Sequence, residues 1–262
     1  MTLTALVSAK GSPGTSTTAA LLAGLAPRPT VLADLDPAGG DLVLRHRDPG
    51  GRPLVPERGL LSLGAGLRRG PDDQVLAEHL QVVSGGLEVL VGVTSPEQVN
   101  GLGPVWQNLA GALRTVAGRD VVADCGRLTA GSPAWPVLTA ADGVVLVARS
   151  RLEDLAHLRE RLRWLLQSLA LGGHRVPVGL VLIAPEKDRA AAAECRQLLE
   201  NARLRARILG TLAQDGKGAE ILAGRSSRPA GRTSLVRSAR ALVPELYRFL
   251  GTPYGAAGGG DR

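Results

Sequence analysis

Near the start of the chain lies the segment Ser8-Ala9-Lys10-Gly11-Ser12-Pro13-Gly14-Thr15-Ser16-Thr17-Thr18. The apolar run 3–7 precedes it, and the helix-forming run 19–25 follows it. A buried strand, a glycine-rich turn and hydroxyl side chains at the start of a helix are typical of a phosphate-binding loop, because backbone N–H groups and the helix N-terminus then face the anion. The segment therefore predicts an anion site at the end of the first strand.

Two further predicted strands end in acidic residues. The second strand, 31–33, runs into Asp34-Leu35-Asp36-Pro37-Ala38-Gly39-Gly40-Asp41, and a later strand, 120–126, carries Asp124 near its end. Open α/β sheets bind ligands at the carboxyl ends of their strands. We therefore expect Asp36 and Asp124 to lie beside the glycine-rich loop. The alternative is that these carboxylates only cap helices or end strands at the surface.

The remaining pattern alternates apolar strands with helices. Further strands are predicted at 81–84, 87–93, 142–148, 178–184 and 206–212, the first two forming a hairpin. Helices are predicted at 95–116, 152–171, 188–202 and 234–250, with a weak helix inside the long connection 45–71. Such alternation predicts an α/β fold with a mostly parallel central sheet and helices on both faces. We expect one domain over 1–251 and a disordered glycine-rich tail over 252–262.

Composition excludes several classes of protein. The 262 residues are 44% hydrophobic, which suffices for one full core. No apolar run reaches the roughly 18 residues of a membrane span, and the N-terminus lacks a signal-peptide pattern. Cys125 and Cys195 stand far apart, so neither a zinc site nor a disulfide framework is indicated. We expect a cytoplasmic protein with no membrane partner.

The positive charge leaves two interpretations open. The net charge is +7, and almost all cations are arginine, since lysine occurs only at positions 10, 187 and 217. An arginine-rich region over 225–240 is able to bind DNA through phosphates without reading bases. The alternative is that these arginines form solvated faces. Apolar residues over 235–250 favour a helix face packed in the core over a membrane helix, and Pro244 is expected to interrupt that helix.

Taken together, residues 1–250 resemble the partition and cell-division ATPases of the ParA and MinD type, the deviant P-loop group of NTPases. The marks are Lys10-Gly11-x-x-Gly14-x-Ser16-Thr17, Asp34-x-Asp36-Pro37 and the strand ending at Asp124. A softer mark is Leu209-Gly210-Thr211-Leu212-Ala213-Gln214-Asp215, with Ala213 where the family usually has proline. The resemblance implies the P-loop NTPase fold, ATP or ADP with Mg²⁺ as ligands, a nucleotide-dependent homodimer, and a protein partner or cargo adaptor.

The resemblance also implies roles for particular residues. Those implied to donate backbone N–H groups to the phosphates are Gly11, Ser12, Gly14, Thr15 and Ser16. Thr17 would hold the α-phosphate, the Ser16 hydroxyl would ligate Mg²⁺, and Asp124 would support the metal through water. Lys10 would reach the partner's phosphates across a dimer, Asp36 would orient the attacking water, and Asp215 would line the base pocket.

One position departs from the P-loop pattern G-x-x-x-x-G-K-[ST]. Thr15 stands where the lysine that reaches the β- and γ-phosphates is expected. A charge-assisted contact to phosphate contributes about 1.5 to 3 kcal/mol, so its loss weakens binding roughly ten- to hundredfold. It also removes charge stabilisation from phosphoryl transfer, so enzymatic activity is left open.

The sequence thus predicts a nucleotide-binding switch with weak or absent hydrolysis that partitions or positions a cellular cargo. One alternative is a pseudo-ATPase that keeps the fold as a scaffold for protein interaction and binds no nucleotide. Another is a nonspecific DNA-binding protein that uses its arginine-rich surface.

Overall fold

The structure is a computed structural model, and it describes residues 1–11, 13–68, 73–103, 105–225 and 230–254. Over these residues the strands are β1 (Leu3–Ser8), β2 (Thr30–Asp34), β3 (Gln81–Val82), β4 (Glu88–Leu90), β5 (Asp120–Arg127), β6 (Gly143–Arg149), β7 (Val178–Ala184) and β8 (Arg207–Ala213). The helices are α1 (Thr15–Gly24), α2 (Leu42–Arg45), α3 (Leu60–Leu67), α4 (Asp73–His79), α5 (Pro96–Asn100), α6 (Val105–Thr115), α7 (Trp135–Ala140), α8 (Leu152–Leu171), α9 (Ala191–Ala202), α10 (Gly216–Leu222) and α11 (Ser234–Phe249).

The strands form one sheet in the order β3-β4-β2-β5-β1-β6-β7-β8. All neighbouring pairs are parallel except β3 and β4, which pair antiparallel as the predicted hairpin. The central strands are buried on both faces, which explains their continuous runs of valine, leucine and alanine. The predicted fold class is confirmed.

Helices cover both faces of the sheet. The core on one face is completed by α1, α2 and α11, and the core on the other by α3, α4 and α6 to α9. In α11 the apolar face is buried, as predicted; its members are Leu235, Val236, Ala239, Leu242, Val243 and Leu246. The expectation that Pro244 interrupts this helix is wrong. The carbonyl that Pro244 leaves without a helical donor belongs to Arg240, which is exposed, so water is able to bind it.

Local corrections concern helix boundaries. The helix predicted over 95–116 is two helices, α5 and α6, because the chain turns at Gly101–Gly103, where Gly103 has a φ of 41°. Helix α9 begins at Ala191 instead of 188, since the Asp188 carboxylate accepts hydrogen bonds from the N–H groups of Ala190 and Ala191. The short helices α2, α4, α7 and α10 were not predicted, because elements this short depend on packing more than on sequence pattern.

A buried ionic cluster joins α11 to the amino end of β5, at the end of the sheet opposite the glycine-rich loop. Asp120, at the start of β5, accepts hydrogen bonds from the Tyr247 hydroxyl (2.8 Å) and the Thr2 N–H (2.8 Å). The Arg28 guanidinium lies 3.0 Å from the same carboxylate and stacks over the Tyr247 ring. The carboxylate, which is only 5% exposed, is therefore paired with a hydroxyl, a backbone N–H and a guanidinium.

The first residues of the predicted tail, 252–254, contact helix α11. The Thr252 N–H donates to the Tyr247 carbonyl (3.0 Å), and the Tyr254 ring lies 5.9 Å from the Tyr247 ring. The rest of the predicted tail, 255–262, lies outside the described residues. None of the helices in the described ranges combines the length and apolar character needed to cross a bilayer.

Candidate functional site

The glycine-rich loop joins β1 to α1 in left-handed backbone conformations. Gly11 has a φ of 62°, and Gly14, which precedes the first residue of α1, has a φ of 113°. A side chain on Gly14 would also lie 3.0 Å from Ile183, so glycine suits this position for two reasons. Helix α1 begins at Thr15, so the hydroxyl residues stand in its first turn. Ser12, a predicted phosphate contact, lies outside the described residues.

The start of α1 offers unsatisfied hydrogen-bond donors. No side chain of the described residues caps this terminus, and its first turn carries no acidic residue. The first N–H groups of a helix have no partner within the helix. The Thr15 hydroxyl is buried and also has no hydrogen-bond partner within the described part of the chain. An anion bound here would satisfy these donors and interact favourably with the helix dipole.

Two buried carboxylates lie side by side behind the loop. Asp34 and Asp124 are register partners on β2 and β5, and each is only 3% exposed. Burial, reinforced by the charge of Asp124, raises the pKa of Asp34 to about 8. Burial raises the pKa of Asp124 to about 6, although the nearby Ser16 hydroxyl and the hydrogen bond from the Gly126 N–H lower it. Asp124 therefore lies near the first turn of α1, as a carboxylate that supports a metal on Ser16 would.

Asp36 projects from the loop after β2 toward the end of β5. Its carboxylate accepts a hydrogen bond from the Ala38 N–H (2.8 Å) and lies against Gly126. Gly126 has a φ of 64°, and a side chain there would overlap the Asp36 carboxyl group. Burial raises the pKa of Asp36, and the charge of Asp41 adds to that effect. The absence of a side chain at Gly126 thus provides the space that the Asp36 carboxyl group occupies.

The glycine-rich loop and Asp36 border one cleft of about 520 Å³ at the carboxyl ends of β1, β2 and β5, whereas buried Asp34 and Asp124 do not line it. Predicted residues that line it are Gly11, Gly14, Thr15, Ser16, Thr17 and Asp36. Asp41, Arg45 and Arg127 line it as well. A second cleft of about 210 Å³ adjoins it, since both share Ser16, Thr17 and Arg45. The far wall of this second cleft is formed by α10.

Two predicted site residues have other partners in the structure. The Lys10 ammonium lies 2.7 Å from Nε2 of His157 on α8, on the outside of the loop. Asp215 caps α10, accepting hydrogen bonds from the Gly218 N–H (2.8 Å) and the Ser234 hydroxyl (3.0 Å). Neither residue lines the 520 Å³ cleft. Asp215 instead fixes the helix that forms the wall of the adjoining cleft.

The donor set suits Mg²⁺ with a phosphate ligand better than a metal held by protein alone. Within the described ranges, no group of three or more His, Cys, Asp or Glu side chains is arranged to hold a metal ion. Mg²⁺ commonly binds through one or two protein oxygens together with phosphates and water. The Ser16 hydroxyl and the Asp124 carboxylate are oxygen donors of that kind.

Sequence reasoning missed two residues around this site, Arg45 and His157. Arg45 lines both clefts from α2, and its only sequence signal is the i,i+4 spacing from Asp41, which ends the acidic stretch. His157 comes to Lys10 from 147 positions away, so no local pattern indicates it. Both residues depend on tertiary packing.

No protein-family model and no curated protein matches the chain. Solved structures do. A ParA family ATPase from Chlorobium tepidum is 19% identical with a TM-score of 0.71, and the match covers 94% of this chain and 97% of that one. MinD from Pyrococcus horikoshii, a septum site-determining protein complexed with Mg-ADP, is 16% identical with a TM-score of 0.68, covering 95% and 97%. A variant of McdA from Cyanothece in complex with ATP is 16% identical with a TM-score of 0.69, covering 97% of each chain. The chain therefore has the fold of the ParA and MinD ATPases.

Proposed function

We propose that this chain is a nucleotide-dependent switch that binds adenine nucleotide with Mg²⁺ and dimerises around it, with weak or absent hydrolysis. Its role is to partition or position a cellular cargo through a protein partner or adaptor. The observation that carries the proposal is the uncapped start of α1, where Ser16 and Asp36 line the same cleft and Ser16 lies near buried Asp124.

The chain's own groups divide the work of binding. Backbone N–H groups of Gly14, Thr15 and Ser16, with the Thr15 hydroxyl, hold phosphate oxygens. Thr17 lies at the junction of the two clefts, which suits a contact with the α-phosphate. Ser16 would hold Mg²⁺ through its hydroxyl, and Asp124 would support the metal through water. When bound, Mg²⁺ neutralises phosphate charge and keeps several water ligands. Asp36 accepts a hydrogen bond from the attacking water and orients it.

Weak hydrolysis follows from the missing charge. The Thr15 side chain carries no positive charge, so it does not stabilise the charge that develops on the transferred phosphoryl group. Lys10 is held at His157 on the outside of the loop, so it contributes only after that contact opens. In the dimer, Lys10 reaches the partner's phosphates. The solved structures of similar fold include a complex of MinC with MinD from Aquifex aeolicus, which supports a protein partner for this chain as well.

Replacing Asp36 by alanine tests the switch. The variant keeps nucleotide affinity, because Asp36 holds no phosphate, but it accumulates ATP-bound dimers, because hydrolysis no longer resets them. Light scattering of the parent and the variant with ATP and Mg²⁺ measures this accumulation over time. Asp48→Ala is the matched control, since Asp48 pairs with the nearby Arg52 and does not line the cleft. Equal dimer turnover in Asp36→Ala and the parent would contradict the role of Asp36.

The burial of Thr15 supports a second candidate, a scaffold that binds no nucleotide. Thr15 fills the position of the P-loop lysine with a short side chain that is only 6% exposed. If this candidate is correct, the parent binds no nucleotide and Thr15→Lys creates affinity. Under the switch proposal the parent already binds and Thr15→Lys strengthens binding about ten- to hundredfold. Titration of both proteins with ATP and Mg²⁺ separates the two candidates.

A cationic cleft beside β8 supports a third candidate, sequence-independent DNA binding. The cleft measures about 560 Å³ and is lined by Arg196, Arg203, Arg205 and Arg207. In the arginine-rich region singled out from the sequence, Arg237 is paired with Glu186 (2.9 Å). This candidate predicts retention of duplex DNA that falls steeply with salt and is independent of ATP. Absence of retention at low salt would exclude it.

A further inference from the structure

The cations near the phosphate cleft differ in how they lie relative to it. Lys10 is engaged by His157 on α8, and Arg127 follows Gly126 at the exposed end of β5. Arg45 lines both the 520 Å³ cleft and the adjoining 210 Å³ cleft, at the point where Ser16 and Thr17 also line both. Arg127 also lines the 520 Å³ cleft, but of these three cations Arg45 alone lines both clefts with Ser16 and Thr17.

The fold fixes the position of Arg45. Leu42 and Val43, on the same short helix, are buried in the core beneath α1. On the other side, the chain after α10 passes so close that a side chain on Gly224 would lie 2.8 Å from the Arg45 carbonyl oxygen. Gly224 has a φ of 72°, which also favours glycine. Helix α2 is thus held between α1 and α10, and Arg45 ends it facing the clefts.

The guanidinium of Arg45 is held by a weak and replaceable partner. It lies 2.5 Å from the Asp41 carboxylate one turn earlier, and Asp41 is 54% exposed while Arg45 is only 33% exposed. Ion pairs between partly exposed groups contribute little to stability because water competes for both charges. A phosphate presents two oxygens to the planar guanidinium and carries more negative charge than a carboxylate. Exchange of Asp41 for a phosphate is therefore favourable.

We infer that Arg45 is a phosphate-binding residue that supplies, within the same chain, the cation that Thr15 does not provide, and that Asp41 competes with the phosphate for it. The ligand class is a nucleoside di- or triphosphate with Mg²⁺. The inference rests on the proposed function, since it names the residue that completes the phosphate site. Arg45 acts by binding phosphate oxygens, so its effect falls on ligands that carry phosphate.

Titration calorimetry of four proteins tests this inference: the parent, Arg45→Ala, Asp41→Asn and Arg47→Ala. Each is titrated with Mg²⁺ plus ATP and with Mg²⁺ plus inorganic pyrophosphate. Arg45→Ala weakens both ligands roughly ten- to hundredfold, the effect of losing one charged contact to phosphate. Asp41→Asn tightens both, because the competing carboxylate is gone. Arg47→Ala leaves both unchanged, since Arg47 donates only to the carbonyls of Leu44 and His46 and lines neither cleft.

The outcomes separate this inference from the proposed function. If the parent binds neither ligand at millimolar concentration, the proposed function fails and Arg45 fails with it. If the parent binds and Arg45→Ala binds equally well, only the role of Arg45 is overturned. Thermal unfolding without ligand checks that Arg45→Ala is as stable as Arg47→Ala. If Arg45→Ala does not fold, Asp41→Asn decides: unchanged affinity in that variant contradicts the competition, and tighter binding supports it.

Discussion

Replacing Asp34 by asparagine removes a carboxyl group whose pKa is raised to about 8, chiefly by burial. An unfolded aspartate has a pKa near 3.9, so between these two values the folded state binds the proton more tightly. The stability that this proton confers is complete below the unfolded pKa and is lost as the pH rises through the folded pKa. The parent protein should therefore become less stable between pH 5 and pH 8.

The magnitude follows from the linkage between proton binding and folding. For a folded pKa of about 8, the loss between pH 5 and pH 8 is about 3 to 4 kcal/mol at most. Asp124, with a folded pKa of about 6, adds about 1.4 kcal/mol to the parent's loss. Of these two contributions to the pH-dependent loss of stability, the Asp34→Asn variant keeps that of Asp124. The variant should match the parent at pH 5 and exceed it by about 3 kcal/mol at pH 8.

Urea unfolding of nucleotide-free parent and variant at each pH from 5 to 8 measures this difference. Burial lowers the pKa of His46 and of His79, so these groups add stability as the pH rises toward 6.5 and oppose the effect of Asp34. Their contributions cancel when the variant is subtracted from the parent. Asp48→Asn is the control, because Asp48 pairs with Arg52 and the pKa of its carboxyl is lowered, so it stays ionised from pH 5 to pH 8. Parallel pH profiles for the parent and Asp34→Asn would refute the account of a buried, protonated Asp34.

Two further predictions concern the ends of the sheet. Gly126→Ala displaces the Asp36 carboxyl group and forces an unfavourable φ on residue 126. Dimer turnover with ATP should therefore slow as in Asp36→Ala, while ATP affinity stays within a few-fold. Unchanged turnover by light scattering would show that Asp36 does not depend on its position against Gly126. At the opposite end of the strands, Asp120→Asn leaves Arg28 without its counter-charge and should lower the unfolding free energy by about 3 kcal/mol or more. Tyr247→Phe removes one hydrogen bond to Asp120 and should lower the unfolding free energy by about 2 kcal/mol. The reverse order in urea unfolding would contradict the assignment of Asp120 as the centre of the cluster.

The sequence predicted the sheet and much of the cleft for a physical reason. Parallel strands that are buried on both faces leave continuous apolar runs, and their carboxyl ends meet at one edge. Asp36 and Asp124 each stand near the end of such a run, so the sequence alone sufficed to place them beside the glycine-rich loop. In the structure Asp36 lines the cleft, and Asp124 lies buried near Ser16, which also lines it.

What the sequence did not reveal depends on packing between distant segments. Helix α2 has four residues and no periodicity of its own, so Arg45 looked like part of an irregular connection. The Lys10–His157 contact joins the first loop to α8, and only the folded structure brings these residues together. Asp215 caps α10 because a short helix begins directly after it, and that helix is stabilised mainly by its neighbours.

Calorimetric titration of the parent with ATP and with ADP, both with Mg²⁺, followed by light scattering of the same samples, tests the central claim most directly. A nucleotide switch predicts micromolar binding and a change from monomer to dimer with ATP but not with ADP. No heat and no change of mass at millimolar nucleotide would contradict the claim, and the protein's surfaces would then be the place to look for its function.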